Sequence, residues 1–181
     1  MSAAAIPAYA TVAELLSAAG EPVGYAPLDA RLIEAAALPE PFKPLLDHTE
    51  HMTQILGKFH GVTLRLDVLR ERRDGEAYAR EILLRRGDDG RAVEYGAVRI
   101  SLDLLAPSVV SAVLARERPL GEVLIEQNLL RRIEPLWFFA FGAASRAVRA
   151  LGGQEPAFGR VGRIHCDGRP AIEVLEVVTG R

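Results

Sequence analysis

The stretch that most constrains the fold lies near the end of the chain. Asp167-Gly168 stands between two runs, 159–166 and 169–178, in which apolar and polar residues alternate. Asp-Gly tolerates the positive φ angles of a two-residue turn, and alternation is the period of a half-buried strand, so the spacing predicts an antiparallel hairpin. The same period of 2 begins after Gly61, where Val62, Leu64, Leu66 and Val68 alternate with Thr63, Arg65 and Asp67. Asp74-Gly75 then turns the chain into a second strand over 78–84, and Gly87-Asp88-Asp89-Gly90 into a third over 92–101. A further strand is expected over 129–139. Turns this short require antiparallel pairing, because parallel neighbours need crossovers of about a dozen residues or more.

Before Gly61 the period is helical. Thr11-Val12-Ala13-Glu14 fits a capping box, with Leu15, Leu16 and Ala19 after it and Gly20 as a stop. A second helix is predicted over 29–38, with Leu32, Ile33 and Ala36 on one face. A third is predicted over 45–59, with Pro44 suited to its first turn and Gly61 ending it. Pro107-Ser108 opens a helix through about residue 116, and Pro119-Leu120-Gly121 interrupts the chain before the next strand. The expected architecture is α+β, an antiparallel sheet covered by helices drawn mostly from the first third of the chain.

Length and composition add limits. The 181 residues suit one domain spanning 1–181, with no dividing linker and no internal repeat. Lys+Arg total 22 and Asp+Glu 24, for a formal net charge of −2, which lacks the basic footprint of a nucleic-acid binder. The longest apolar run, 136–144, is far below the roughly 17–25 residues of a membrane helix. The N-terminus has no basic segment leading a greasy one, and the single cysteine, Cys166, has no internal disulfide partner. These features lead us to expect a soluble cytoplasmic protein that engages neither membrane nor nucleic acid.

Several chemistries lack their motifs. There is no G-x-x-x-x-G-K-[ST], no G-x-G-x-x-G and no G-x-S-x-G, and Gly152-Gly153…Gly159…Gly162 reads as a loop entering a strand. His48-x-x-His51, with His60 beyond, is the only metal-like spacing; on a helix the first two share a face, but no H-E-x-x-H accompanies them. Surface or supporting histidines are the plainer reading, and no metal site is expected. Cys166 beside His165 reads as a small strand residue rather than a nucleophile. The arginines at 70, 72, 73, 85 and 86 border turns and alternate with acids, as solvated turns do. Trp137, Phe138, Phe139 and Phe141 read as core.

Two charges are harder to place. Arg80 is in phase with Tyr78, Ile82 and Leu84, and Glu176 with Ile172, Val174 and Val178. A charge in an apolar row is costly without a partner. Either the two pair with each other or reach an edge, or they face a closed pocket with one fixed cation and one carboxylate. Glu173, in a row with Leu175 and Val177, is a rival for the carboxylate.

At these residues the chain resembles chorismate pyruvate-lyase, the family that makes 4-hydroxybenzoate and pyruvate from chorismate. Tyr78-Ala79-Arg80-Glu81-Ile82-Leu83-Leu84 is similar to that family's Arg-Glu-Ile-Leu-Leu strand, and Pro119-Leu120-Gly121 to its Pro-Leu-Gly turn. His51-Met52-Thr53 followed by Phe59 resembles its Met-Thr helix, and Gly168-Arg169-Pro170 with Leu175-Glu176 its closing hairpin. The pieces keep the family's order over roughly 45–178, leaving 1–44 as an N-terminal helical segment outside the resemblance. From Gly168 to Glu176 this chain is one residue longer than the family hairpin, and Glu176 is preferred over Glu173 because it keeps its distance from the strand end.

The resemblance implies a chorismate lyase-like fold and a cofactor-independent lyase acting on chorismate as a monomer or weak homodimer. Arg80 would bind the ring carboxylate, with main-chain help at Met52 and Leu120 beside Gly121, and Glu176 would bind the ring hydroxyl. Two other expectations stand beside it. One is a non-catalytic domain of the same fold that senses a small aromatic acid, since folds outlive their chemistry. The other is a metal-dependent hydrolase on His48, His51 and His60.

Overall fold

The structure, a computed structural model, describes residues 1–20, 28–153 and 156–180. Its elements in chain order are α1 (Ala5–Ala18), β1 (Ala30–Ile33), α2 (Phe42–Leu46), α3 (Met52–His60), β2 (Leu64–Asp74), β3 (Ala77–Arg86) and β4 (Ala92–Ser101). There follow α4 (Pro107–Ala115), α5 (Leu120–Glu126), β5 (Arg131–Phe141), α6 (Arg146–Ala150), β6 (Ala157–Cys166) and β7 (Arg169–Thr179). The seven strands make one sheet in the order β1-β5-β6-β7-β4-β3-β2, and every adjacent pair is antiparallel. The chain thus has the α+β architecture, an antiparallel sheet covered by helices.

The predicted hairpins form as the turn residues require. β6 and β7 meet around Asp167 and Gly168, both at positive φ, with Cys166 opposite Arg169. β2, β3 and β4 form a meander, joined through Gly75 and Gly90 at positive φ. The long-range step is β4 against β7, which pairs Gly96 with Glu176 and Val98 with Val174 in the middle of the sheet.

Strand alternation gives the sheet two buried faces. On one, Leu83, Tyr95, Ala97, Val161, Leu175 and Val177 pack under α1 and α6. From α1, Val12, Leu15 and Leu16 are buried, each contributing about 1.5–3 kcal/mol of apolar transfer. On the other face are two separate clusters. α2 and α3 cover Ile82, Leu84 and Val178 through Phe42, Leu46, Met52 and Leu56. α4 and α5 cover Val98, Ile100, Ile172 and Val174 through Val109, Val113, Val123 and Leu124.

Several local expectations are corrected. Residues 30–33 are a strand, not part of a helix over 29–38: β1 pairs with β5, Ala30 opposite Phe141 and Ile33 opposite Phe138, and this pairing overrides the helical preference of the alanines that follow. The expected 45–59 helix is two helices, broken at 47–51. The helix around Thr11 begins earlier, at Ala5; Thr11 is inside it and donates its hydroxyl to the Pro7 carbonyl (2.9 Å) instead of capping. Pro119 does more than interrupt, since α5 begins directly after it, and β5 runs to Phe141 rather than 139. α6 was not anticipated. The 1–44 segment is helical only in part, and residues 21–27 within it lie outside those described.

Candidate ligand-binding site

The two clusters on the second face leave a cavity of about 60 Å³ between them. Its floor is the sheet, at Arg80, Ile82, Glu94, Gly96, Val174 and Glu176 among others. Its roof is made by the starts of two helices, Met52 and Thr53 of α3 with His51 just before them, and Leu120 and Gly121 of α5 with Pro119 just before them. All five residues named from the sequence, Met52, Arg80, Leu120, Gly121 and Glu176, therefore line one space. Met52 and Leu120 are each the first residue of a helix, where N–H groups take no intrahelical bond.

Arg80 is 2% exposed. Its guanidinium donates a long hydrogen bond to the Val113 carbonyl at 3.4 Å and also meets the Tyr78 hydroxyl, while its Nε has no partner. Glu71, directly opposite on β2, favours its charge only from beyond ion-pair contact: one of its oxygens accepts from the Tyr78 hydroxyl (2.7 Å) and the other pairs with Arg116 (2.6 Å). Among the described residues no carboxylate pairs with Arg80. Burial lowers its pKa from the ordinary arginine value, with Tyr78 and Glu71 opposing, but a guanidinium stays charged in proteins.

The other polar end holds three groups. Arg160, 1% exposed on β6, donates from Nε to Glu176 Oε2 at 2.6 Å. It also donates to the carbonyls of Leu46 (3.0 Å), His48 (2.7 Å) and Glu50 (3.4 Å), tying the 47–51 break to the sheet. Glu94, 4% exposed on β4, leaves Oε2 without a partner. Burial first, and then the Glu176 charge, hold the Glu94 carboxyl well above the usual carboxylate range against the opposing Arg160 guanidinium.

The pairing of Arg80 with Glu176 does not occur; Glu176 belongs to Arg160, and Arg80 stands apart. Glu173 lies outside the cavity lining, held by Arg99 and by Arg163 (3.3 Å). The histidines do not share a helix face. His48 sits in the 47–51 break, its ring against the Leu45 carbonyl (2.9 Å), while His51 precedes α3 and lines the cavity. Among the described residues no three histidine, cysteine or acidic side chains gather as a metal set. Burial lowers the His51 pKa to about 4, and its Nε2 has no partner. Cys166 is buried in β6, with its thiol pushed up chiefly by burial.

Sequence reasoning missed Glu94, Arg160 and His51 as parts of this site. Glu94 is in phase with Gly96 and Val98, and Arg160 with Phe158, Gly162 and Ile164. The glycines in those rows hide the apolar alternation that exposed Arg80 and Glu176.

No protein-family model matches the chain, and no curated protein matches it in sequence. Among solved structures, it is similar in fold to gene product SA0254 from Staphylococcus aureus subsp. aureus N315, at TM-score 0.50 and 13% identity over 74% of this chain and 90% of that one. It also aligns with PhnF from Mycobacterium smegmatis, at TM-score 0.48 and 13% identity over 74% of this chain, and spans 65% of that longer chain. The PhnF C-terminal domain aligns at TM-score 0.41 and 14% identity, over 67% of this chain and 86% of that one. At these identities the likeness is one of fold alone. Among the described residues no helix is long and apolar enough to cross a membrane.

Proposed function

We propose that the chain is a binding domain for a small aromatic monocarboxylic acid, with Arg80 as its carboxylate anchor. The observation that carries this reading is Arg80 itself, a buried cation with no carboxylate in ion-pair contact among the described residues and an unpartnered Nε. Burying a charge without its counter-ion costs several kcal/mol, and a bound carboxylate meeting the guanidinium fork offsets that cost. First-turn amides at Met52 and Leu120 add donors at the roof. Apolar walls from Ile82, Val98, Ile164 and Val174 suit a ring, and Glu176 accepts from a hydroxyl at the far end. The cavity has room for only a few water-sized bodies, so a ring acid enters as α3 and α5 part and leaves the same way.

A second reading, catalysis on chorismate, is favoured by the ordered motifs that converge on this cavity. The reaction breaks the ring C–O bond to the enolpyruvyl group and removes the hydrogen of the hydroxyl-bearing carbon. The ring becomes 4-hydroxybenzoate, and the enolpyruvate takes up a proton to become pyruvate. Gain of aromaticity drives it, so the protein's part is orientation and charge stabilisation. Arg80 fixes the ring carboxylate and Glu176 orients the hydroxyl end.

One experiment separates these. Metal-free protein is incubated with chorismate while pyruvate and aromatic acid are followed by chromatography, and melting is recorded with benzoate and 4-hydroxybenzoate. Stabilisation by the acids with chorismate left intact is the expected result for a binding domain. Equimolar pyruvate and 4-hydroxybenzoate establishes the lyase instead. Absence of both stabilisation and turnover rejects the acid-binding reading.

A further inference from the structure

Glu94 is unused by either reading, yet it is the most enclosed carboxyl in the cavity wall. Register places it diagonally from Glu176, since Glu94 is opposite Val178 and Gly96 opposite Glu176. Between them the bare Gly96 backbone lets other groups close in: a Cβ there would lie 3.6 Å from Glu94 Oε1 and 2.9 Å from the Ile82 side chain. Glu94 lines the cavity here, with its Oε1 close to Gly96 and its buried Oε2 unpartnered. The charged groups around it are Glu176 on β7 and Arg160 on β6, with Arg80 on β3 and His51 before α3 lining the same space. Arg160 is already engaged by Glu176 at 2.6 Å, so an ionised Glu94 would be a second negative charge in a buried site with no ion-pair partner of its own among the described residues.

We propose that Glu94 completes the far end of the cavity as a hydrogen-bond donor, so that a ligand hydroxyl there is held twice, accepting from Glu94 and donating to Glu176. This rests on the acid-binding reading and narrows its ligand class. A neutral carboxylic acid has one O–H to donate, whereas Glu176 and its Arg160 partner offer the hydroxyl only an acceptor. A hydroxyl satisfies both carboxyls at once. A bare ring leaves a buried donor unmatched, and a second carboxylate meets the negative Glu176. The site therefore favours hydroxylated monoacids over unsubstituted and dicarboxylic ones.

Calorimetry at pH 7 with benzoate, 4-hydroxybenzoate and terephthalate tests this on the wild type, Glu94→Gln and Glu94→Leu. The wild type is expected to prefer 4-hydroxybenzoate to benzoate by about tenfold, the worth of one well-placed hydrogen bond. Glu94→Gln, which keeps a donor, retains that preference within about threefold. Glu94→Leu abolishes it while still binding benzoate. In parallel, carboxyl-carbon NMR of the free protein, assigned with Glu94→Gln, is expected to show a protonated Glu94 carboxyl under the conditions of the calorimetry. A preference surviving in Glu94→Leu, or a carboxylate signal for Glu94 at pH 7, overturns the donor role and leaves the acid-binding reading standing. Wild-type protein that binds none of the three acids overturns that reading and this inference with it.

Discussion

Arg80 is buried with no carboxylate in ion-pair contact among the described residues, and that sets what its loss should do. Replacing a buried, unpaired cation by an apolar side chain of similar length removes a desolvation cost. Arg80→Met is therefore expected to melt no lower than the wild type. The same change should weaken benzoate binding on the order of 100-fold, because a charge-assisted bond has gone. Calorimetry alongside melting reads both, and unchanged affinity would remove Arg80 from the site. His51 makes a second prediction at this scale. Its folded pKa of about 4 lies below the ordinary 6.5, so the unfolded chain takes up the proton first as pH falls. The stability tied to neutral His51 is complete above pH 6.5 and is lost progressively between 6.5 and about 4. His51→Gln should therefore show a shallower fall of melting temperature over that window than the wild type, and parallel curves would contradict the burial argument. Arg80 and Glu176 were legible because apolar neighbours flank them at period 2. Glu94, Arg160 and His51 were not, because what buries them is long-range pairing and the α2–α3 break.

Strands closed by strong turn signals formed where the sequence puts them, whereas the helix bounds followed packing instead. The β6–β7 hairpin and the β2–β3–β4 meander are specified by Asp-Gly and Gly-rich turns within a few residues of each strand. β1 is four residues long and exists through its partner β5, which no local pattern reports. α5 is seven residues after a proline, with Gly121 in its first turn and two β-branched side chains, and α6 is five residues, though Ser145 caps it by accepting from the Val148 N–H (3.1 Å), a signal present in the sequence. The roof of the cavity depends on how closely α3 and α5 meet, and Gly121 sets that distance. A Cβ at Gly121 would lie 3.0 Å from His51 Cβ and 3.3 Å from Thr53 Oγ1. Gly121→Ala should push the helix starts apart, speeding dissociation of a bound acid several-fold in stopped flow while costing about 1 kcal/mol or less of stability. Gly159→Ala should behave differently. Its Cβ would lie 2.6 Å from the Glu176 carbonyl oxygen, inside the sheet where nothing can part, so a loss of about 1–3 kcal/mol in denaturant unfolding is expected. A neutral Gly159→Ala would mean that β6 and β7 shift more freely than their pairing implies.

At the scale of the whole molecule, one sheet separates two unlike faces. The α1 and α6 face is one continuous apolar cluster with a single buried Glu81–Arg146 pair (2.7 Å) among the described residues, while the opposite face is divided into two helical clusters that meet at the cavity roof. The division is what makes room for polar groups, since a single merged core there would bury Arg80, Glu94 and Arg160 with no space for a ligand. It also means that a bound acid acts as a bridge between clusters that otherwise touch little. Ligand at 100 times its Kd adds about 2.7 kcal/mol to unfolding, which for a chain of this size raises the melting temperature by roughly 5–11 °C. The distribution of that gain is the sharper test. In hydrogen exchange at short times, where local opening dominates, amides of α3 and α5 should gain protection when 4-hydroxybenzoate is added, and those of α1, behind the sheet, should not. Early protection that rises equally in α1 would place the ligand's effect on the entire fold and not on the seam between the two clusters.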